Sequence, residues 1–154
     1  MKTITGNLIE LANEGRFTNI VHGCNCFNTM GAGVAKAIRS AFPRAYEVDQ
    51  SSGRGDASKL GTISSTLVEA SETGEDLRVI NAYTQFRYGR NGQHVDYEAV
   101  KSCFRIIKEQ YAVPGSITAY PLIGCGLAGG DWNIISEIIN TELIDREHYL
   151  VKLR

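Results

Sequence analysis

The stretch VHGCNCFNTMGAGVAKAI, residues 21–38, predicts a β-strand that runs through a glycine-rich turn into an α-helix. From Gly31 onward its apolar side chains recur at helical spacing, and Pro43 ends the run. Because glycine has no Cβ, such a turn lets backbone N–H groups come close to a ligand. The N-terminus of the following helix adds partial positive charge, so this turn is a candidate anion site.

A second glycine-rich turn, GCGLAGG at residues 124–130, follows the predicted strand SITAYPLI and precedes the predicted helix DWNIISEIINTEL. Both turns are expected at the carboxyl ends of parallel strands, where open α/β sheets bind ligands. A diphosphate has enough charge and enough acceptor oxygens to contact both turns. The sequence contains no Walker loop. Residues 124–129 match G-x-G-x-x-G, but too few strands follow for a dinucleotide-binding fold, and we interpret the match as accidental.

The rest of the chain alternates predicted strands with helices. Further strands are predicted at 2–7, 62–70, 77–83 and 148–153, with the second and third forming a hairpin or neighbouring strands. A long helix with one apolar face is predicted after Asp96, a candidate N-cap, and 50–61 is predicted as a polar loop. The pattern predicts one domain over residues 1–154, a three-layer α/β/α fold with a mostly parallel, mixed central sheet.

Composition limits the classes of partner and cofactor. The 154 residues carry a formal net charge of −1, which gives no general attraction for nucleic acid or for a membrane surface. The four cysteines have no zinc-ligand spacing, and we expect reduced thiols, no metal and no cofactor. The N-terminal MKTITGNLIE has no long apolar segment. We therefore expect a cytoplasmic protein with no membrane partner.

Four stretches taken together resemble the macro domain family. They are TGNLIE at 5–10, the opening stretch at 21–38, INAY at 80–83 and YPLIGCGLAGGDW at 120–132. Within the family the pattern is most similar to stand-alone proteins that resemble yeast ADP-ribose-1''-phosphate phosphatase and its phage and bacterial relatives. The resemblance covers the chain nearly end to end, and it implies a pocket for ADP-ribose.

The resemblance also implies which residues contact the ligand. Asn7 and Leu8 would lie at the adenine, where most of the family has Asp; Asn7 is equally interpretable as a turn or helix-capping residue. Asn25 would bind hydroxyl groups of the distal ribose, and Thr84 would lie near that ribose. The diphosphate would be held from one side by Met30, Gly31, Ala32, Gly33 and Val34. It would be wrapped from the other side by Gly124, Cys125, Gly126, Leu127, Ala128 and Gly129.

Catalysis is a separate question from binding. The resemblance implies that His22, assisted by Asn25, could act on the ligand, because imidazole exchanges protons near neutral pH. A strand histidine with its hydrogen bonds satisfied is the alternative for His22. Asp131 could orient a water, although its place before a helix favours an N-cap. Some macro domains are hydrolases that remove ADP-ribose, and the subgroup most similar to this sequence uses a Lys and, in some members, an Asp. This chain has Tyr83 or Thr84 at the position of the Lys and Ala128 at that of the Asp. The difference argues against a covalent mechanism through lysine.

Three functions therefore remain open from the sequence. The first is a phosphatase acting on ADP-ribose-1''-phosphate. The second is a hydrolase that removes ADP-ribose from protein or nucleic acid. The third is a reader that binds ADP-ribose, or sequesters a related nucleotide, without reacting. The expected partners are correspondingly ADP-ribose, ADP-ribose-1''-phosphate, or an ADP-ribosylated macromolecule.

Overall fold

The computed structural model describes residues 1–89, 92–126 and 128–153. In chain order its elements are β1 (Lys2–Thr5), α1 (Leu8–Asn13), β2 (Asn19–Asn25), α2 (Gly33–Ala41), α3 (Pro43–Gln50), a 3₁₀ turn (Ala57–Lys59), β3 (Ile63–Glu69), β4 (Asp76–Gln85), α4 (Tyr97–Gln110), β5 (Ile117–Tyr120), α5 (Trp132–Glu142) and β6 (Glu147–Lys152). In this described part of the chain, no helix has both the length and the apolar character needed to cross a bilayer.

The six strands form one sheet in the order β1-β6-β5-β2-β4-β3. All neighbours are parallel except β3 and β4, which form the antiparallel pair expected of the predicted hairpin. The mostly parallel, mixed sheet predicted from the sequence is confirmed. β2 lies centrally between β5 and β4, and its register with β4 shifts between Cys24 and Asn25. This irregularity ends β2 at the carboxyl edge, where the first glycine-rich turn begins.

Two apolar cores lie on opposite faces of the sheet, as in a three-layer fold. Successive strand residues alternate between them: Ile20 packs in the core with α1, α2 and α3, whereas Val21 packs in the core with α4 and α5. The alternation repeats in β4, where Val79 and Ile80 face opposite cores. Central strands buried on both faces explain why the sequence showed continuous apolar runs there.

Two of the helices, α1 and α3, were not predicted from the sequence. α1 has six residues, and its apolar pattern is too short to show a helical period. α3 follows α2 almost directly, since Pro43 ends the first helix and also occupies the first turn of the second. The residues that α3 buries are Ala45 and Asp49, a small residue and an acidic one, so no apolar stripe marked it.

Removal of the N-cap of α4 is expected to lower the free energy of unfolding modestly. The Asp96 carboxylate accepts a hydrogen bond from the backbone N–H of Ala99 at 3.0 Å, as the sequence predicted. Asp96→Ala should therefore cost about 1 kcal/mol in urea unfolding. Lys101→Ala, on the exposed face of the same helix, is the control and should change stability by less than about 0.5 kcal/mol. Equal effects of the two changes would contradict the capping role.

Candidate ligand-binding site

A cavity of about 610 Å³ opens at the carboxyl ends of β2, β4 and β5. Residues of both glycine-rich turns line it. Its lining comprises Gly23, Cys24, Asn25, Thr29, Met30, Gly31, Ala32, Gly33, Val34, Ala35, Asp49, Gln85, Tyr88, Gly89, Pro121, Leu122, Ile123, Gly124, Gly126 and Ala128. Its volume is that of a site for a nucleotide-sized small molecule. The predicted position at the sheet edge therefore coincides with an actual cavity.

The first glycine turn presents the N-terminus of α2 to this cavity. α2 begins at Gly33, whose φ of +58° is in the left-handed region that favours glycine. The preceding residue, Ala32, provides no side-chain cap, so the first backbone N–H groups of the helix receive no hydrogen bond from an N-cap side chain. Gly33 and Val34 both line the cavity. An uncapped helix N-terminus at a cavity wall is suited to binding an anion.

The second glycine turn contributes backbone but not a free helix end. Gly124 has φ +75°, and its carbonyl accepts a hydrogen bond from the N–H of Gly130 at 2.6 Å, which closes the turn. The sequence predicted that the dipoles of both following helices would face the ligand. α5 differs, because the Asp131 carboxylate caps it by accepting from the N–H of Asn133 at 2.8 Å. Among the described residues, none of α5 lines the cavity, whereas the first residues of α2 do.

The charge of the cavity wall is unusual for an anion site. Among the lining residues that the structure describes there is no lysine or arginine, and Asp49 is the one carboxylate. Any phosphate bound here would therefore depend on backbone N–H groups and on the α2 dipole rather than on cationic side chains.

Asn25 lies in the cavity wall and is also bonded within its own loop. Its Oδ1 accepts from the N–H of Phe27 at 2.8 Å, and its Nδ2 donates to Thr29 Oγ1 at 2.7 Å. These two bonds fix the amide, and they leave one N–H and one oxygen lone pair for a ligand. The two interpretations of Asn25, loop structure and ligand contact, are therefore compatible.

His22 does not line the cavity. Its ring is 1% exposed, and Nε2 lies 2.6 Å from Asn81 Oδ1, which accepts the bond because the Asn81 amide nitrogen donates to the carbonyl of Ala45. Burial lowers the pKa of His22 to about 4, against a smaller opposing effect of the Asn81 bond. A neutral, fully enclosed imidazole has no contact with the cavity. The catalytic role of His22 stays a prediction; the observed bond to Asn81 fits the alternative of a strand histidine with its hydrogen bonds satisfied, and Cys24 Sγ, at the cavity wall, lies 3.7 Å from Nε2.

The thiols near the site are protonated and inert. Cys24 lines the cavity, and burial raises its pKa well above the usual thiol value, assisted by the negative charge of Asp49. Cys26 is fully buried beside Tyr83, and burial raises its pKa as well. A thiol with a raised pKa is a poor nucleophile and a poor metal ligand. In the described residues, no three His, Cys, Asp or Glu side chains are grouped so that they could hold a metal ion.

Several other residues predicted to bind the ligand lie outside the cavity wall. Asn7 caps α1 by accepting from the N–H groups of Ile9 and Glu10, and the neighbouring Leu8 packs in a core. Their assignment to adenine stays a prediction.

Three further residues that were predicted to bind the ligand also do not line the cavity. Thr84 is buried behind Gly23, and Cys125 packs against the core of α4 and α5. Gly129 faces the backbone of Gly92 instead of the cavity. Leu127 lies outside the described residues. The predicted residues that do line the cavity are Asn25, Met30, Gly31, Ala32, Gly33, Val34, Gly124, Gly126 and Ala128.

The sequence interpretation missed a second group of lining residues. Gln85 directly follows Thr84, which the resemblance had indicated, and Tyr88 lies four residues after it. Thr29 lies within the opening stretch. Asp49 gave no signal, because it belongs to the unpredicted helix α3.

An aromatic cluster borders the cavity beside these residues. The ring of Phe27 contacts Phe86 edge-on, with 5.1 Å between centroids, and lies 6.1 Å from Tyr88. Tyr88 is 56% exposed and lines the cavity. The guanidinium of Arg87, also exposed, lies 5.8 Å from the Phe86 ring centroid. The exposed Tyr88 ring, with two half-buried rings and a cation beside it, offers a surface on which a nucleobase can stack.

Comparison with known proteins places this geometry in a family. The family model "Macro domain" matches residues 21–139. A 17.5 kDa protein of Enterobacteria phage T4, from the tk-vs intergenic region, is 37% identical over 144 residues, covering 92% of this chain and 88% of that protein. An ADP-ribose 1''-phosphate phosphatase of Aspergillus oryzae is 38% identical over 48 residues, 31% of this chain and 22% of that protein.

A third relative is larger than this chain. The DNA ADP-ribosyl transferase-DNA ADP-ribosyl glycohydrolase fusion protein of Thermosipho africanus is 28% identical over 137 residues, which cover 80% of this chain and 35% of that protein. The solved structure of Thermosipho africanus DarTG in complex with ADP-ribose superposes with a TM-score of 0.72 at 21% identity, over 99% of this chain and 42% of that one. The chain thus spans about a third of the fusion protein's length. The match to the family model and the phage relative together show that this chain belongs to the macro domain family.

Proposed function

We propose that this chain binds ADP-ribose in the cavity between its two glycine turns. The observation that carries the proposal is the uncapped N-terminus of α2, which lines a cavity at the carboxyl edge of the sheet together with the second glycine turn. Backbone N–H groups there suit the diphosphate, and Asn25 suits the hydroxyl groups of the distal ribose. The Thermosipho relative of the same fold, solved with ADP-ribose, supports the choice of ligand.

We further propose that the chain hydrolyses the phosphate of ADP-ribose-1''-phosphate. Support comes from the Aspergillus relative named as that phosphatase, although the match covers 48 residues. In this reaction water attacks phosphorus, the bond between phosphorus and the ribose oxygen breaks, and the leaving oxygen takes up a proton. The products are ADP-ribose and inorganic phosphate. Because His22 is enclosed in the core, the groups that position the water must come from the cavity wall.

The aromatic cluster favours a second candidate, removal of ADP-ribose from a nucleic acid base. A base attached to the distal ribose could stack on Tyr88, the exposed ring of this cluster that lines the cavity, with Arg87 nearby for a phosphate. The Thermosipho relative is named a DNA ADP-ribosyl glycohydrolase in part, which supports this alternative. The two reactions share the ADP-ribose pocket and differ in the group attached to the distal ribose.

One set of assays separates these functions. Titration calorimetry with ADP-ribose tests binding, and mass spectrometry after incubation with ADP-ribose-1''-phosphate or with an ADP-ribosylated DNA oligonucleotide tests reaction. Release of phosphate from the first substrate supports the phosphatase, and release of ADP-ribose from the second supports the nucleic-acid hydrolase. Binding of ADP-ribose with release of neither phosphate nor ADP-ribose would identify the protein as a reader. It would contradict both hydrolytic proposals. Absence of binding at millimolar ADP-ribose would contradict the pocket assignment itself.

A further inference from the structure

We infer that Asp49 binds a hydroxyl group of the distal ribose through its Oδ2 atom, and so gives the cavity a preference for ADP-ribose over ADP. This inference rests on the proposed binding of ADP-ribose. It adds to the site a residue that no sequence pattern had indicated.

The position of the Asp49 carboxylate is the first support. Asp49 lies in the last turn of α3, is 0% exposed, and borders the cavity beside Cys24 and Asn25. Its Oδ1 accepts a hydrogen bond from the hydroxyl of Tyr83 at 2.8 Å, whereas Oδ2 has no hydrogen-bond partner among the described residues. A buried carboxylate oxygen without a partner is energetically costly. A ligand that donates a hydrogen bond at the cavity wall would remove this cost.

Hydrogen bonds from Tyr83 and Ser52 fix the orientation of the Asp49 carboxylate. The Tyr83 hydroxyl that holds Oδ1 also lies 2.9 Å from Ser64 Oγ and 3.3 Å from Ser52 Oγ. Ser52 in turn donates to the backbone carbonyl of Asp49. Because these bonds occupy Oδ1 and anchor the backbone, Oδ2 is the acceptor left for a ligand at this part of the cavity wall.

The groups around Asp49 determine its charge. Burial raises its pKa above the usual carboxyl value, and the Tyr83 hydrogen bond and the charge of Lys59 act against this rise. Lys59 is itself buried, with Nζ 4.5 Å from the centroid of the Tyr83 ring and bonded to Asn28 Oδ1. The thiols of Cys24 and Cys26, the other titratable groups facing it, have raised pKa values and stay neutral. The Tyr83 hydrogen bond and the charge of Lys59 thus favour the ionised form of Asp49 against the effect of burial.

The unprotonated carboxylate of Asp49 selects the part of the ligand that it contacts. It repels phosphate oxygens, so the diphosphate belongs at the glycine turns and not at Asp49. It attracts hydroxyl donors, and Asn25, to which the distal ribose is assigned, lines the same cavity wall. ADP lacks the distal ribose, so a contact between Asp49 and that ribose contributes to binding of ADP-ribose alone.

The test compares two ligands on two variants by titration calorimetry. Asp49→Asn keeps the size of the side chain and an acceptor for Tyr83 but replaces the charged oxygen by a donor. Its affinity for ADP-ribose should fall about tenfold or more, since hydrogen bonds to charged groups are the stronger ones. Its affinity for ADP should stay within about twofold of wild type, because ADP lacks the distal ribose. Glu47→Gln, an acid in the same helix that does not line the cavity, is the control and should change neither affinity.

Other outcomes would contradict either the ribose contact or the proposed binding of ADP-ribose. Unchanged ADP-ribose affinity in Asp49→Asn, or an equal loss for both ligands, would overturn the ribose contact. Wild-type protein that binds neither ligand would overturn the proposed function together with this inference. If Asp49→Asn does not fold, Tyr83→Phe provides the test: the lost hydrogen bond raises the pKa of Asp49, so ADP-ribose affinity should begin to fall at a higher pH than in wild type. An unmoved pH profile in Tyr83→Phe would overturn the inference.

Discussion

Gly126→Ala is expected to weaken ADP-ribose binding by about tenfold to a hundredfold while leaving the melting temperature unchanged. Gly126 lines the cavity, its φ is not in the left-handed region, and a Cβ built on it meets no heavy atom within 4 Å. The added methyl group would therefore disturb nothing in the protein and would occupy the space assigned to the diphosphate. Titration calorimetry and thermal unfolding of the same preparation measure the two effects.

Gly124→Ala, two residues earlier in the same turn, is the matched comparison and, unlike Gly126→Ala, should lower the stability of the protein. Gly124 has φ +75°, and an added Cβ would lie 2.7 Å from Val95 Cγ2 and 3.1 Å from Ile135 Cδ1. Backbone strain and overpacking together should cost about 2–4 kcal/mol of unfolding free energy. If Gly126→Ala binds ADP-ribose as tightly as wild type, the second glycine turn does not hold the ligand.

The second large effect is a loss of stability as pH falls from about 6.5 to about 4. The pKa values of His22 and His148 are each lowered to about 4 from the ordinary 6.5, chiefly by burial. Below pH 6.5 the unfolded chain takes up protons that the folded chain does not, so stability is complete above this pH and declines below it. Each histidine accounts for a loss of about 3 kcal/mol at the lower end of this range. The raised pKa of Asp49 acts in the opposite direction and reduces the total.

Urea unfolding at a series of pH values, on wild type and two variants, measures this effect. His22→Gln and His148→Gln each remove one titrating ring and keep an amide that can bond to the former partner, Asn81 or Tyr120. Each variant should show a shallower decline between pH 6.5 and 4 than wild type. A decline of the same steepness in all three proteins would show that other groups control acid unfolding.

The same His22 variant addresses the role that the sequence left open. If His22 is structural, His22→Gln at pH 7.5 should keep both its ADP-ribose affinity and any hydrolytic rate that wild type shows. A selective loss of rate, with folding and affinity intact, would instead restore the catalytic assignment.

The parts of the fold that could be predicted are those with a clear period. β2, the glycine turn and α2 followed from the apolar run at Ile20 and Val21 and from the helical spacing after Gly31. α3 could not be predicted, because it buries Ala45 and Asp49 and is held by tertiary contacts. Pro43, which the sequence indicated as an end, is the end of one helix and the start of the next.

The candidate site likewise contains positions that the sequence could predict and positions that it could not. The glycine positions were predictable, since an unusual density of glycine after a strand has few explanations other than a turn or a close approach. The polar side chains that complete the wall were harder to identify. Asp49 reaches the cavity from an unpredicted helix and is placed there by the Tyr83 hydroxyl, 34 residues away in the chain. His22, which the sequence suggested as a catalytic residue, is hydrogen-bonded to Asn81 in the core. No local sequence pattern could show this contact.

A crystal structure of the protein soaked with ADP-ribose tests the central claim most directly. The account predicts the diphosphate within hydrogen-bonding distance of the backbone N–H groups at the start of α2 and of the second glycine turn. It also predicts the distal ribose at Asn25 and Asp49. ADP-ribose bound elsewhere on the surface, or bound here with its diphosphate away from both glycine turns, would contradict it.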